Sequence, residues 1–142
     1  MADRVRIVMK DGTEVAAAHT VTEGRWYDDN WITRNLTLRI DGLRDAGLVK
    51  VRAFCGDTTM RLFGNSVALE IGQHRSTHDL NWGGNSAISV QMEPALNGTV
   101  DIVITTKNFL EPDKLDPRER ATILRDIVLA PKPEARAVKT AK

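Results

Sequence analysis

Apolar and polar side chains alternate along most of the chain with a period of two residues, which is typical of half-buried β-strands. Leu36, Leu38 and Ile40, for example, alternate with Thr37 and Arg39. The same pattern predicts strands near residues 5–9, 13–18, 36–40, 48–53, 61–63, 66–71, 87–92, 98–105 and 123–129. Turn-forming residues separate these segments about every 8–12 positions, as expected of a sandwich or barrel. We therefore predict an all-β fold, an antiparallel, jelly-roll-like β-sandwich of about eight or nine strands.

Two local signals refine this prediction. Asp11-Gly12 lies between the first two strands and predicts a hairpin with a type I′ turn, because that turn needs positive φ at both central residues. Helical spacing occurs near residues 116–121, where Asp116 would cap one short helical turn with Pro117 at its first position. We expect the last strand to follow this turn.

The composition fits a single soluble domain. Of the 142 residues, 42% are hydrophobic and 27% are charged, which is normal for a globular protein. We predict one β-sandwich domain over residues 1–130. Residues 131–142 contain two prolines, four basic residues and one acidic residue, and they lack apolar periodicity. We therefore predict that they form a flexible basic tail.

Charge and the N-terminal sequence argue against several classes of protein. The chain has 20 basic and 19 acidic residues, for a net charge of +1, so we expect no nucleic-acid partner held by bulk charge. No continuous apolar stretch follows Met1, so we expect neither a signal peptide nor a membrane segment, and a cytoplasmic location is the default. Cys55 is the single cysteine and is expected to be a buried structural thiol.

The segment from Thr22 to Ile32 is the richest in candidate chemistry. It holds three large rings and two adjacent carboxylates, namely Trp26, Tyr27, Trp31, Asp28 and Asp29. Aromatic faces can stack on sugar rings while carboxylates bind hydroxyls, so we predict a carbohydrate-binding loop. The two carboxylates and Asn30 could also hold a structural calcium ion. In the alternative interpretation, Trp31 is a core residue at a strand start and residues 28–30 are its turn.

Two motifs resemble those of a known family, the jelly-roll, galactose-binding-like β-sandwich that is attached as an accessory domain to glycosyltransferases of bacterial polysaccharide biosynthesis. The matching residues are Gly24, Trp26, Tyr27, Asp29, Trp31 and Ile32 in the first motif, and Phe109, Pro112, Asp116, Arg118, Leu124, Ile127 and Leu129 in the second. Asn30 stands where the family usually has Gly, and Glu119-Arg120 replaces a Leu-Gly pair. The resemblance implies a non-catalytic accessory role. We also expect Asp116 and Arg118 to form a charge-assisted bridge.

A second polar cluster lies between residues 73 and 85. We predict that Asp79, Asn81 and Trp82 bind ligand together with the tryptophan loop if the two segments converge. His74, His78 and Asp79 are the candidates for a metal site. Histidines four residues apart share a metal on a helix, however, and the glycines around this segment favour a loop or a twisted strand.

The sequence contains no serine elbow, phosphate loop or zinc-finger spacing, and no carboxylate pair that indicates glycoside hydrolysis. We therefore predict no catalytic activity and no cofactor. The predicted function is that of a carbohydrate-binding or polysaccharide-biosynthesis accessory β-sandwich, with a glycan as partner. Two alternatives stay open: a structural module that forms homo-oligomers or protein contacts, and a metal-dependent enzyme.

Overall fold

The computed structural model describes residues 4–41, 46–55, 65–80, 84–91 and 98–131. Within these ranges the chain forms eleven strands and no helix. The strands are β1 (Val5–Val8), β2 (Glu14–Ala16), β3 (His19–Glu23), β4 (Trp31–Ile32), β5 (Asn35–Asp41), β6 (Ala46–Cys55), β7 (Ser66–Ile71), β8 (His74–Asp79), β9 (Gly84–Gln91), β10 (Thr99–Thr106) and β11 (Thr122–Pro131). No helix long and apolar enough to cross a membrane is present in the described part of the chain.

The strands form two sheets. The first sheet has the order β2-β1-β11-β6-β9, and the short strand β4 also pairs with β11. The second sheet has the order β3-β5-β10-β7-β8. Strand β1 runs parallel to β11, and the other pairs in the described residues are antiparallel. The prediction of an all-β, antiparallel sandwich is confirmed.

The core lies between the inner faces of the two sheets. Leu36, Leu38 and Ile40 of β5 are buried, as their alternation predicted. On β11, Leu124 and Ile127 are both buried although they are three residues apart. A register shift between Leu124 and Asp126 explains this spacing, because the extra residue of a β-bulge restores the inward direction one position later.

The short helical turn predicted near residues 116–121 is not formed. This segment bends and then closes on an isolated bridge between Arg120 and Leu110. The carboxylate of Asp116 does accept a hydrogen bond from a following backbone amide, that of Arg118 at 3.1 Å. It also pairs with the Arg118 guanidinium, but no helix follows.

Strands β3 and β8 were not predicted, because their residues provide no buried apolar row. All five residues of β3 are exposed, and β8 is polar along its whole length. Both strands lie at an edge of the second sheet as the described residues form it, and edge strands need no apolar row on both sides. The strand predicted at residues 61–63 and residues 132–142 of the predicted tail lie outside the described ranges.

Two tight turns share one geometry. In the first hairpin, Gly12 N donates to Met9 O at 2.9 Å and Met9 N donates to Thr13 O at 2.8 Å. Gly12 has a φ of 91°, whereas Asp11 does not have positive φ. The predicted hairpin is therefore confirmed, but its loop has three residues, with a type I turn and a bulge in place of the type I′ turn.

The loop between Tyr27 and Trp31 repeats this geometry. Asn30 N donates to Tyr27 O at 2.9 Å, and Tyr27 N donates to Trp31 O at 2.8 Å. Asn30 has a φ of 76° and takes the place that Gly12 has in the first hairpin. Asn tolerates this left-handed conformation better than other residues with a Cβ. The geometry explains how Asn can replace the Gly expected from the family resemblance.

We predict that Asn30→Ala is less stable than Asn30→Gly by about 1 kcal/mol, because alanine is strained in the left-handed region. Both variants lose the contact of 3.3 Å between Asn30 Oδ1 and Arg4 Nη1. The difference between their free energies of unfolding therefore reports the effect of the backbone conformation at this position. Urea unfolding of the two variants measures it. Equal stability of the two variants would contradict this account of the turn.

Candidate functional site

Trp26 lies inside the sandwich. Its side chain is 7% exposed, and its Nε1 donates to Leu124 O at 3.0 Å. The Arg4 guanidinium lies 4.1 Å from the centre of the indole ring. This environment satisfies the indole N–H and leaves little ring surface for a sugar. Trp26 was among the residues predicted to bind ligand, but the structure gives it the position of a core residue.

Tyr27 and Asp29 contact Arg118, which comes from the other end of the sequence. Arg118 Nη1 lies 3.0 Å from Asp29 Oδ1, and its guanidinium lies 4.8 Å from the centre of the Tyr27 ring. Arg118 also forms two parallel bonds of 2.9 Å to Asp116. The bridge predicted between Asp116 and Arg118 is therefore present. We call these four residues the Arg118 cluster.

The Arg118 cluster holds its carboxylates in the charged form. Side-chain hydrogen bonds from Arg118 lower the pKa of Asp116 to about 2. The same guanidinium lowers the pKa of Asp29. Of the oxygens proposed for calcium, Asp29 Oδ1 thus already accepts from Arg118, and Asn30 Oδ1 accepts from Arg4. Asp28 is exposed.

The two motifs that carry the family resemblance meet in the structure. Trp26 contacts Leu124, and Asp29 contacts Arg118. Gly24 has a φ of 78°, and a Cβ there would lie 2.0 Å from the Asn35 carbonyl oxygen. These motif residues therefore position the strands, and a ligand site has to be sought on the surfaces that they leave exposed.

Trp31 points in the opposite direction from the core. It lies opposite Ile123 of β11, Ile123 lies opposite Phe54 of β6, and Phe54 lies opposite Asn85 of β9. Residues that are directly opposite in antiparallel strands share a face of the sheet. The next residue, Ile32, is buried, whereas Trp31, Ile123 and Phe54 are half-buried. We call Trp31, Ile123, Phe54 and Asn85 the outer row.

Polar groups lie at the β9 end of the outer row. Arg125 is exposed at the bulge of β11, and its guanidinium lies 5.5 Å from the centre of the Phe54 ring. Arg125 Nε donates to Asn85 Oδ1 at 2.7 Å. Trp31 and Phe54 are two strands apart, or about 10 Å. The outer row therefore combines two aromatic side chains with a guanidinium and an amide along one line.

Sequence reasoning placed Trp31 in the candidate site but missed Phe54, Ile123, Asn85 and Arg125. The alternation along β6 and β11 provided a partial signal, because Phe54 and Ile123 are out of phase with their buried neighbours. The signal was incomplete, since no local pattern shows that β4 pairs with β11.

His74, His78 and Asp79 lie on the edge strand β8. Along a strand, positions four apart are separated by about 13 Å, and adjacent positions point to opposite faces. His74 and His78 are therefore too far apart to bind one metal ion. Within the described ranges, no group of three or more His, Cys, Asp and Glu side chains is placed to hold a metal. Asn81 and Trp82, both predicted ligand-binding residues, lie outside those ranges.

A cleft of about 430 Å³ opens between β8 and β9, the edge strands of the two sheets. It is lined by Thr77, His78, Asp79, Ser86, Ala87, Ile88 and Ser89. His78 Nε2 lies 2.7 Å from Ser76 Oγ, which orients the imidazole. The cleft begins one residue after Asn85, where the outer row ends.

Comparisons with known proteins do not assign a family. No protein-family model matches the chain, and no curated protein matches it in sequence. One similar solved structure is TmCBM61 in complex with β-1,4-galactotriose, with 10% identity and a TM-score of 0.36 over 80% of this chain and 86% of that chain. Another is the acetyl xylan esterase Est2A from the rumen bacterium Butyrivibrio proteoclasticus, with 11% identity and a TM-score of 0.38 over 82% of this chain and 31% of that chain. TM-scores of this size do not establish a common fold, so the sandwich assignment rests on the strand pairing.

We predict that Arg118→Ala lowers the melting temperature at neutral pH, because it releases Asp29, Asp116 and Tyr27 together. The lowered pKa of Asp116 means that its contribution is fully present above its unfolded pKa, near 3.8, and is lost as the pH falls towards about 2. The difference from wild type should therefore shrink over that interval.

Melting curves at pH 7, 4, 3 and about 2 measure this difference. Arg75→Ala is the matched control, since Arg75 pairs with Glu70 on an exposed surface and should change the melting temperature little. An Arg118→Ala deficit that stays constant across the whole pH range would contradict the role given to Asp116.

Proposed function

We propose that this protein is a non-catalytic carbohydrate-binding β-sandwich and that a glycan lies along the outer row. The position of Trp31 carries the proposal. Its side chain is half-buried on the outer face of the first sheet, in line with Phe54 two strands away. A line of aromatic side chains with a few polar groups is the type of surface that orients a small ligand.

The chemistry of the outer row suits a sugar chain. A pyranose ring has an apolar C–H face, which can pack on Trp31 or Phe54, and hydroxyls at its rim. The Arg125 guanidinium, whose Nε donates to Asn85 Oδ1, carries further N–H donors for those hydroxyls at the β9 end of the row. This pairing of an apolar surface with adjacent donors supports a saccharide over a purely apolar ligand.

The acidic residue next to Arg125 is not suited to act as a general acid. Asp126 accepts hydrogen bonds from both Arg6 and Arg52, and the bonds from Arg52 lower the pKa of Asp126. A general acid for glycoside cleavage needs a raised pKa and a free proton to donate. Asp126 therefore fits a structural ion pair.

We further propose that the binding domain acts as an accessory module in polysaccharide biosynthesis. This proposal rests on the resemblance of the two motifs, which contact each other through Trp26 with Leu124 and Asp29 with Arg118. In such a role the domain would hold a glycan while a separate catalytic unit extends or modifies it.

A second candidate function is self-association through the edge strand β3. All five of its residues are exposed, and Val21, which is 37% exposed, lies near Val15 of β2, which is 44% exposed, along the chain. An exposed strand edge is a template for pairing with another chain. Light scattering over a concentration series tests this function. We expect wild-type protein to dimerise and Val21→Lys to be monomeric. A wild-type protein that stays monomeric at high concentration would contradict self-association.

We predict that wild-type protein binds at least one neutral oligosaccharide and that Trp31→Ala or Phe54→Ala weakens the binding at least tenfold, or about 1.4 kcal/mol. Calorimetry with cellotriose, xylotriose, mannotriose and β-1,4-galactotriose measures the affinity. Trp82→Ala in the same assay tests the prediction made for that residue.

Val103→Ala is the matched control, because Val103 is a half-buried apolar residue on the outer face of the second sheet. It should bind as wild type does. Circular dichroism establishes that every variant is folded. The proposal is wrong if wild-type protein binds none of the four sugars, or if the Trp31 and Phe54 variants keep full affinity.

A further inference from the structure

The inner face of β8 is polar, whereas the inner face of the neighbouring strand in the second sheet is apolar. On β7, the strand next to it, Val67, Leu69 and Ile71 are buried in the core. The residues directly opposite them on β8 are His78, Ser76 and His74. Opposite residues share a face, so β8 presents imidazole and hydroxyl groups where its neighbour presents core side chains.

Strand β9 forms the other wall of the cleft. Ser86 and Ile88 of β9 are buried and face inwards, while Ala87 and Ser89 are exposed. Within the described residues, β8 and β9 each pair with one strand only. An edge strand presents backbone N–H and C=O groups on its outer side, in addition to its side chains. The cleft has many hydrogen-bonding groups and little apolar surface.

The charge of the lining restricts the ligand. Asp79 is the one acidic residue among the described residues that line the cleft, and that lining includes no lysine or arginine. A sugar hydroxyl can donate to the Asp79 carboxylate and accept from a serine or threonine hydroxyl. A carboxylate or phosphate on the sugar would face Asp79, and the described lining holds no lysine or arginine to offset the repulsion.

The cleft is continuous with the outer row. Asn85 is the last residue of the row, and Ser86, which follows it directly on β9, lines the cleft. Consecutive residues of a strand point to opposite faces. The surface therefore turns around the β9 edge of the first sheet and enters the gap between the two sheets.

We infer that the β8–β9 cleft is a terminal subsite that takes an uncharged sugar residue at the end of a glycan and excludes anionic sugars through Asp79. This inference rests on the proposed function, since the glycan would lie along the outer row. His78, held by Ser76, and the hydroxyls of Thr77 and Ser89 would position the terminal sugar.

The test compares each hexose trisaccharide named above with its derivative oxidised at C6 of the terminal sugar, which carries a carboxylate. Wild-type protein should bind the oxidised form about tenfold more weakly. Asp79→Asn should remove most of that difference, and Asp79→Lys should reverse its sign. Glu70→Gln is the control, because Glu70 is acidic and lies on β7 outside the cleft lining; it should preserve the wild-type preference.

The possible results separate the two proposals. If Trp31→Ala abolishes binding but the Asp79 variants keep the wild-type preference, the subsite is wrong and the carbohydrate-binding function stands. Equal wild-type affinity for neutral and oxidised sugars also overturns the subsite alone. If wild-type protein binds neither form of any trisaccharide, the proposed function and the subsite both fail.

Discussion

The backbone of Leu124 is the contact on which the candidate site depends. Its carbonyl accepts the indole N–H of Trp26 at 3.0 Å, and its N–H donates to Asn30 O at 2.8 Å. A buried indole N–H without a partner would be costly, so these two bonds hold the segment from Thr22 to Ile32, here called the aromatic loop, against β11. With Trp26 fixed inside and the turn closed at Asn30, Trp31 emerges on the opposite face of the sheet.

Some residues of the aromatic loop therefore stabilise the fold, and one lies on the outer surface of the sheet. Trp26 belongs to the core, and Tyr27 and Asp29 belong to the Arg118 cluster, which joins this segment to the chain just before the last strand. Trp31 alone among the rings of the loop joins a row that crosses four strands. The same segment thus positions the sheets and contributes a residue to the outer row.

The sequence predicted the fold class well, because strands with a buried face show alternation, as Leu36 to Ile40 do. It did not predict β3 and β8, which are edge strands with exposed, mostly polar residues. The site was only partly predictable. Trp26 and Trp31 were grouped because they are close along the chain. Whether two nearby rings share a face depends on the left-handed turn at Asn30 and on the pairing of β4 with β11. Tertiary contacts determine both features. Phe54 and Asn85 join Trp31 only through that pairing.

The most direct test is whether Trp26 is a core residue and Trp31 a ligand-binding residue. NMR signals of the tryptophan indole N–H groups show this when they are monitored during hydrogen exchange and during titration with the four trisaccharides. The account predicts that the Trp26 signal, assigned by Trp26→Phe, exchanges slowly and does not shift on titration. The Trp31 signal, assigned by Trp31→Phe, should exchange rapidly and shift as sugar is added. A Trp26 signal that exchanges rapidly and shifts with sugar, beside an unchanged Trp31 signal, would contradict the account.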